Sequence, residues 1–485
     1  MSQPTVTITE LSNGLASLPA GQKIKAFVGP ADSGSLDTPG AYSRISDITG
    51  TFGGGPTVET AAFHVNDTGL PALIVRTDET TAGSYGTIDV TAFTGTAAPA
   101  TDVSTEPNDD YEAYIYFNTG GTTGTAGITY QWSLDDGRTL SPITALGTGL
   151  KITIPTSGGV AIDLTTAQTV VAGDIIRLRC NAPAPNNTEL GTAMDALIAS
   201  AVAFDEVILC FPIDATFFDT LETKVAALLA KGKEVFWCGN TRIPNDAEDE
   251  ATYLSALTTI FSAKATDVGC LCAGAAEITS AVTSRKYRRP ISFAVGSKLG
   301  KVSEEINIAN PSGAHLLKGV SIRDTLGNPK HHDESANPGL DDARFTVLRT
   351  IEDVQGIYVN RPRLFSASGS DFELVPHRRV MNLARAALRQ YFVRRLSLPV
   401  LVNATTGYIL EGEALEIESG AKAVMRSVLL AKPKASGIDF TLSRTDNILS
   451  TKTLTGNAGV IPVGYSEFIN FDLGFRNPVL QVLAA

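Results

Sequence analysis

The chain has 485 residues, of which 43% are hydrophobic and 19% charged, with a formal net charge of −12 and a sequence pI of about 5.0. That length predicts roughly two to four domains, with enough apolar residues to bury several cores. The acidic balance argues against a direct nucleic-acid binder, whose affinity comes from a basic surface that releases counterions. No run approaches the about 20 apolar residues that span a bilayer, so membrane insertion is not expected. The opening MSQPTVTITE lacks the cationic start and apolar stretch of a signal peptide, and a protein made and used without Sec export is expected.

Residues 5–9, Thr-Val-Thr-Ile-Thr, alternate with the period of a strand and place Val6 and Ile8 on one face. Gly14, Pro19 and Gly21 separate them from the first compact region, so residues 1–20 read as an arm. The run IKAFVG (24–29) predicts a buried strand, followed by TPGAYSRISD, the loop TFGGGP, a helix over 58–67 and a strand over 71–77. From 81 to 185 the composition shifts to Thr, Gly and Ala with period-two patterning. Tyr111, Ala113, Ile115 and Phe117 alternate, as do Ile128, Tyr130, Trp132 and Leu134, and Ile176, Leu178 and Cys180. With the Asp136-Gly137 turn signal, this predicts an inserted β-sandwich that ends at the linker NAPAPNN (181–187).

The period then becomes helical. A helix over 188–202 leads to a strand over 206–211, and a helix over 215–231 carries Leu221, Val225, Leu228 and Leu229 on one face with Gly232 at its end. Further on, strands are expected at 234–238, 268–273 and 291–295, with helices at 247–264 and near 276–286. Apolar strands alternating with amphipathic helices predict an α/β class (α+β overall), with a mostly parallel sheet covered on both faces. This core takes residues 21–80 together with 186–370. A loop-rich stretch (308–345) and a strand (355–365) precede a long helix after Pro376. Residues 371–465 read as an α+β domain with strands at 423–430, 437–443 and 459–463. The last segment, 466–485, reads as a second arm in which Ile469, Phe471, Leu473 and Phe475 alternate.

No catalytic, cofactor-binding or metal-binding residue is assigned. Gly53-Gly54-Gly55-Pro56 lacks the Lys-Ser/Thr of a phosphate loop, and no G-x-S-x-G or H-E-x-x-H pattern occurs. His331-His332-Asp333-Glu334 lies in a polar loop, where adjacent histidines seldom chelate one ion. Cys270 and Cys272 share a face, but zinc would need two more ligands at suitable spacing. All five cysteines, including Cys180, Cys210 and Cys238, read as buried reduced thiols. The pairs Asp109-Asp110, Asp135-Asp136 and Asp341-Asp342 have turn contexts.

The helix after Pro376 is more informative. Val380, Leu383, Ala384, Ala387, Leu388, Tyr391 and Phe392 form an apolar stripe, and Arg378, Arg385 and Arg389 fall on the opposite face. Those arginines are either a solvated face or a docking ridge for an acidic partner. A strand at a chain end needs a partner for its backbone and its apolar face. It either folds back into its own sheet or completes the sheet of a neighbour. Exchange at both ends is a heterologous contact, which builds rings or helical polymers.

The opening KIKAFVGPADSGSLDTPGAYSRISDITGTFGGGPTVETAAFHVNDTGLPALIVRT (23–77) resembles the start of contractile phage tail sheath proteins. The GIYVNRPRL strand, the helix beginning HRRVMN and the terminal strand also follow that family's order of elements. The resemblance covers 1–77 and 186–485. It implies a helical tube of subunits around a tail tube, joined by exchanged terminal strands, contracting without nucleotide or cofactor to drive the tube through a cell envelope. It implies as partners other copies of the chain, a tail tube protein, and baseplate and tail terminator proteins. It implies a location in a virion tail assembled in the host cytoplasm, and a tube-gripping role for Arg378, Arg385 and Arg389. The competing readings are an α/β enzyme with an accessory β-sandwich, and another tail or baseplate component.

Overall fold

The run IKAFVG forms β1 (Ile24–Gly29), buried at all six positions, in a computed structural model that describes residues 24–102, 104–155, 159–245, 248–312, 317–321 and 339–475. Next come β2 (Gly40–Tyr42), α1 (Ile45–Phe52), α2 (Pro56–Thr68) and β3 (Ala72–Arg76). Proline in the first turn of α2 sacrifices no helical hydrogen bond, and Gly69 ends the helix at φ 71°, the left-handed conformation open to glycine.

Ten strands follow before the next helix. They are β4 (Ser84–Asp89), β5 (Pro99–Thr101), β6 (Tyr111–Thr119), β7 (Gly121–Thr122), β8 (Thr129–Ser133), β9 (Thr144–Ala145), β10 (Lys151–Thr153), β11 (Ala161–Leu164), β12 (Thr169–Val170) and β13 (Ile175–Asn181). Their sheets have the orders β4-β13-β6-β8-β9, β10-β11-β5 and β12-β7. One core joins the alternating residues Tyr111, Ile115, Phe117, Ile128, Tyr130, Ile176 and Leu178 to Ile152, Ile162 and Leu164. The chain then continues through α3 (Asn187–Ala199), β14 (Phe204–Pro212), α4 (Ala215–Ala230), β15 (Phe236–Asn240), α5 (Glu250–Phe261) and β16 (Gly269–Cys272). Asn186, Asp214 and Asp249 cap α3, α4 and α5 by accepting hydrogen bonds from first-turn amides.

The central sheet has the order β16-β15-β14-β1-β3-β2. All of its pairings are parallel except that of β2 with β3. One face packs under α3, α4 and α5, where Phe218 meets Trp237 edge-on at 5.5 Å and Phe365 at 5.9 Å. The other packs under α1 and α2 through Phe27, Ile48, Phe52, Val58, Ala61 and Ile208.

Two expected elements change type after β16. The helix near 276–286 is instead a hairpin of β17 (Ala275–Thr279) and β18 (Lys286–Pro290). The strand at 291–295 is instead the start of α6 (Ser292–Lys301), buried from Ser292 to Leu299. Short apolar runs have no diagnostic period, and tertiary pairing overrides the helix preference of the alanines. The chain proceeds through β19 (Val320–Ser321), α7 (Gly339–Asp342), β20 (Leu348–Ile351), β21 (Val354–Val359) and α8 (Val375–Val393). No helix among the described residues is long and apolar enough to cross a membrane.

The insertion is tied to the core by a buried ion pair. Arg289 on β18 donates twice to Asp109 at 2.7 Å, and once to the Asp110 carbonyl at 2.6 Å. Its guanidinium lies 4.8 Å from the Tyr287 ring and 5.8 Å from the Tyr111 ring.

The chain divides at Leu398–Pro399 into two units. The helix expected to open the C-terminal domain, α8, belongs to the first. The second contains α9 (Glu411–Met425), continued by a π-helical turn (Arg426–Leu430), then β22 (Gly437–Leu442), α10 (Ile448–Thr451) and β23 (Gly456–Ile461). The strand expected at 423–430 is therefore helical. Its buried residues, Ala421, Met425 and Leu429, recur every fourth position, which is a helix period.

Candidate assembly interface

The second unit has a small core of Ala414, Ile417, Ala421, Met425, Leu429, Phe440 and Leu442. Glu418 anchors it, accepting from the Leu442 amide and from Arg444, both at 2.7 Å. Arg444 also grips Glu411 with two nitrogens at 2.7 and 3.0 Å. β22 and β23 pair over six residues, from Gly437–Ile461 to Leu442–Gly456. Among the described residues this sheet has no third strand, and β23 is exposed along almost its whole length. α9 covers β22, so what stays unsatisfied among the described residues is the sheet's open edge and the exposed β23.

The segment after β23 carries neither helix nor strand from 462 to 475. Ile469 is 64% exposed, Phe471 88%, Leu473 101% and Phe475 112%. The alternation expected to make a strand is present, but the side chains lie in solvent. Val6 and Ile8 lie outside the described residues.

The arginines of α8 are placed differently from a free ridge. Arg378 is buried, stacked 5.3 Å from the Phe372 ring. Arg385 is exposed but pairs with the buried Glu234 at 3.0 Å. Arg389, also exposed, donates to the Lys231 carbonyl at 3.4 Å beside Gly232. A side chain at Gly232, whose φ is 77°, would collide with that guanidinium. The face opposite the apolar stripe thus leans on the turn between α4 and β15. Periodicity places residues around a helix axis but does not say what the polar side meets.

Arg379, not singled out by sequence reading, is the better-anchored neighbour. It is buried and donates to the carbonyls of Leu299 and Val302 at 2.9 and 3.0 Å and of Ser303 at 3.2 Å. It thereby satisfies the C-terminal end of α6, where carbonyls lack helical partners and favour a cation.

Other candidates resolve into structural roles. In the glycine loop, the Gly54 amide and Asn108 both donate to the Asp32 carboxylate, at 2.9 and 2.8 Å, so the loop faces an anion of its own chain. Asp135 bonds Ser133 and the Thr139 amide. Asp136 lies 3.3 Å from Arg177, and Asp341 lies 3.2 Å from Arg361. His331–Glu334 lies outside the described residues. Burial pushes the Cys180 and Cys210 thiols up to about 12, as expected of inert core cysteines.

At the ends of β15 and β16, side chains tie the adjoining loops together. Tyr253 donates to the Arg242 carbonyl at 2.7 Å, accepts from the Gly274 amide at 3.1 Å and touches the Thr241 hydroxyl at 2.9 Å. Asn240 donates to the Thr241 and Gly274 carbonyls.

The same overall fold occurs in a chain of the anti-feeding prophage (AFP) baseplate, 6-fold symmetrised, with a TM-score of 0.53 and 12% identity over 98% of this chain and 100% of that one. It occurs again in an extracellular contractile injection system, the PVC sheath complex in its contracted state, with a TM-score of 0.53 and 12% identity over 99% of each chain. The AFP baseplate in its contracted state gives a TM-score of 0.50 and 12% identity over 98% of each chain. No curated protein matches the sequence. A family model described as DUF2586, N-terminal domain, matches residues 3–363, and the chain belongs to that family.

Proposed function

We propose that this chain is the sheath subunit of a contractile tail or injection system, polymerising as a helical tube around an inner tube. The observation that carries the reading is the pairing of an open two-stranded sheet with an exposed alternating segment, Ile469–Phe475, in a chain that shares the fold of a sheath complex. Transferring such side chains from water is worth about 1.5–3 kcal/mol each, and a strand partner also satisfies the segment's amides and carbonyls. The β22–β23 sheet of a neighbouring copy is the proposed acceptor, by strand addition. Residues 1–20, with Val6 and Ile8, supply the second arm.

Contraction is a rigid-body rearrangement of subunits that the arms keep connected, and no nucleotide or cofactor enters it. The reading is therefore non-enzymatic. The tube contact is assigned to the exposed part of α8, at Arg385 and Arg389, and baseplate and terminator proteins cap the polymer. Its place is the tail of a particle assembled in the host cytoplasm.

Deleting residues 466–485 is the direct test. Sedimentation should show the full chain as large polymers and the truncated chain as a folded monomer; polymers of unchanged size after truncation would contradict the reading. A second reading, a baseplate component, is favoured by the two neighbours from AFP baseplates. It predicts a small ring of fixed copy number in place of tubes of variable length.

A further inference from the structure

Three thiols converge inside the first unit, and no single stretch of sequence reveals it. Cys270 and Cys272 lie on β16 and, two residues apart, share a face. Cys238 on β15 is in parallel register with Cys270 and joins them. The three sulfurs lie within 4.8 Å of one another, and Cys238 Sγ is 3.9 Å from Cys272 Sγ. All three residues are 0% exposed, in a core that includes Phe236, Ala276, Phe293 and Leu299. The Thr346 hydroxyl is 3.4 Å from Cys270 Sγ.

Sulfurs placed about 2.3 Å from a common ion stand about 3.8–4.0 Å apart. The Cys238–Cys272 separation already has that value, and the widest separation in the trio exceeds it by less than about 1 Å. From this geometry we infer that Cys238, Cys270 and Cys272 form a three-sulfur binding site for one soft metal ion, of which Cu(I) is the best fit. Among the described residues no further His, Cys, Asp or Glu joins the cluster, which disfavours the four-ligand shell of structural zinc. An all-sulfur, three-coordinate site selects a soft monovalent cation instead.

Each thiol that ionises on binding releases its proton to solvent. The entry route is the sheet's end strand. β16 and the residue after it are closed by a few backbone bonds shared with later loops: Thr346 donates to the Leu271 carbonyl at 2.9 Å, Ala273 donates to the Thr346 carbonyl at 3.0 Å, and Phe365 donates to the Gly269 carbonyl at 2.8 Å. Local opening of such an edge is less costly than global unfolding. The site is independent of the sheath reading.

The experiment supplies Cu(I) from its bicinchoninate complex to the reduced full chain without oxygen. The folded chain should withdraw one ion per chain, with new sulfur-to-copper charge-transfer absorption. Cys238→Ala and Cys272→Ala should weaken uptake at least tenfold, and Cys180→Ala, in the insertion, should not change it. Failure of the folded wild type to withdraw copper would overturn the site, as would equal uptake by Cys238→Ala. Copper X-ray absorption of the loaded wild type gives a reading that does not depend on variants folding. Three sulfur neighbours at about 2.3 Å support the site, and nitrogen or oxygen neighbours refute it.

Discussion

The central sheet of the first unit and the β22–β23 hairpin of the second treat their edges in opposite ways. At one end of the sheet, β16 is closed by backbone bonds from Thr346 and Phe365, and its strands are buried between helices. The hairpin has no third strand among the described residues, and the chain beyond it leaves Phe471, Leu473 and Phe475 in solvent. An uncovered edge beside apolar side chains is a hazard for a monomer and a means of attachment for a polymer. The first region should therefore fail by unfolding when altered, and the second by losing its partners.

The largest expected effect is at the junction of insertion and core. Asp109→Ala leaves Arg289 charged and buried without its carboxylate, and should cost about 3–5 kcal/mol in denaturant unfolding. Phe218→Ala, which opens a cavity against Trp237 and Phe365, should cost a similar amount, about 3–5 kcal/mol. Neither loss is expected from any change beyond Ile461.

A smaller effect is pH-dependent. Burial, and then the nearby Lys25, hold the His64 ring down to about 3, from its ordinary 6.5. Unfolding lets it take a proton, so its contribution falls as pH drops through that window. Burial raises the Glu206 carboxyl to about 7 despite its contact with Lys25 at 2.9 Å. The folded state then binds the extra proton, and this contribution falls as pH rises from 4.5 to 7. The two trends oppose each other between 4.5 and 6.5, by about 1.4 kcal/mol per pH unit each. In His64→Leu the Glu206 trend stands alone, so stability relative to wild type should rise as pH falls from 6.5 to 4.5. Thermal melts of both proteins across that range would measure it, and parallel curves would refute it.

The smallest stability effect belongs to the arm. Phe471→Ser and Leu473→Ser should change unfolding by less than about 0.5 kcal/mol, since neither side chain is buried. The same variants should nonetheless reduce polymer mass in sedimentation. Equal stability together with equal assembly would remove the contrast between the two regions.

Much of the core was legible because its signals were long and repeated. The helix face Leu221, Val225 and Leu228 sits as its period predicts, and the strand EVILCF, flanked by helical patterns, is buried throughout as expected of a central parallel strand. Residues 275–301 were misread because ISFAV and its neighbours are too short to reveal a period. The helical stretch 423–430 was misread as a strand, although the buried Ala421, Met425 and Leu429 recur every fourth position. At the candidate interface, the arm's alternation was legible. The positions of the arginines were not, because Glu234 and Lys231 approach α8 from distant sequence and Phe372 folds back from the turn just before it. Cys238 was missed for the same reason, since only strand register brings it to Cys270 and Cys272.

The central claim is that the chain polymerises. Electron microscopy of the purified full chain at high concentration tests it most directly. Hollow tubes of variable length and uniform diameter are the predicted result; a field of single monomeric particles would contradict it.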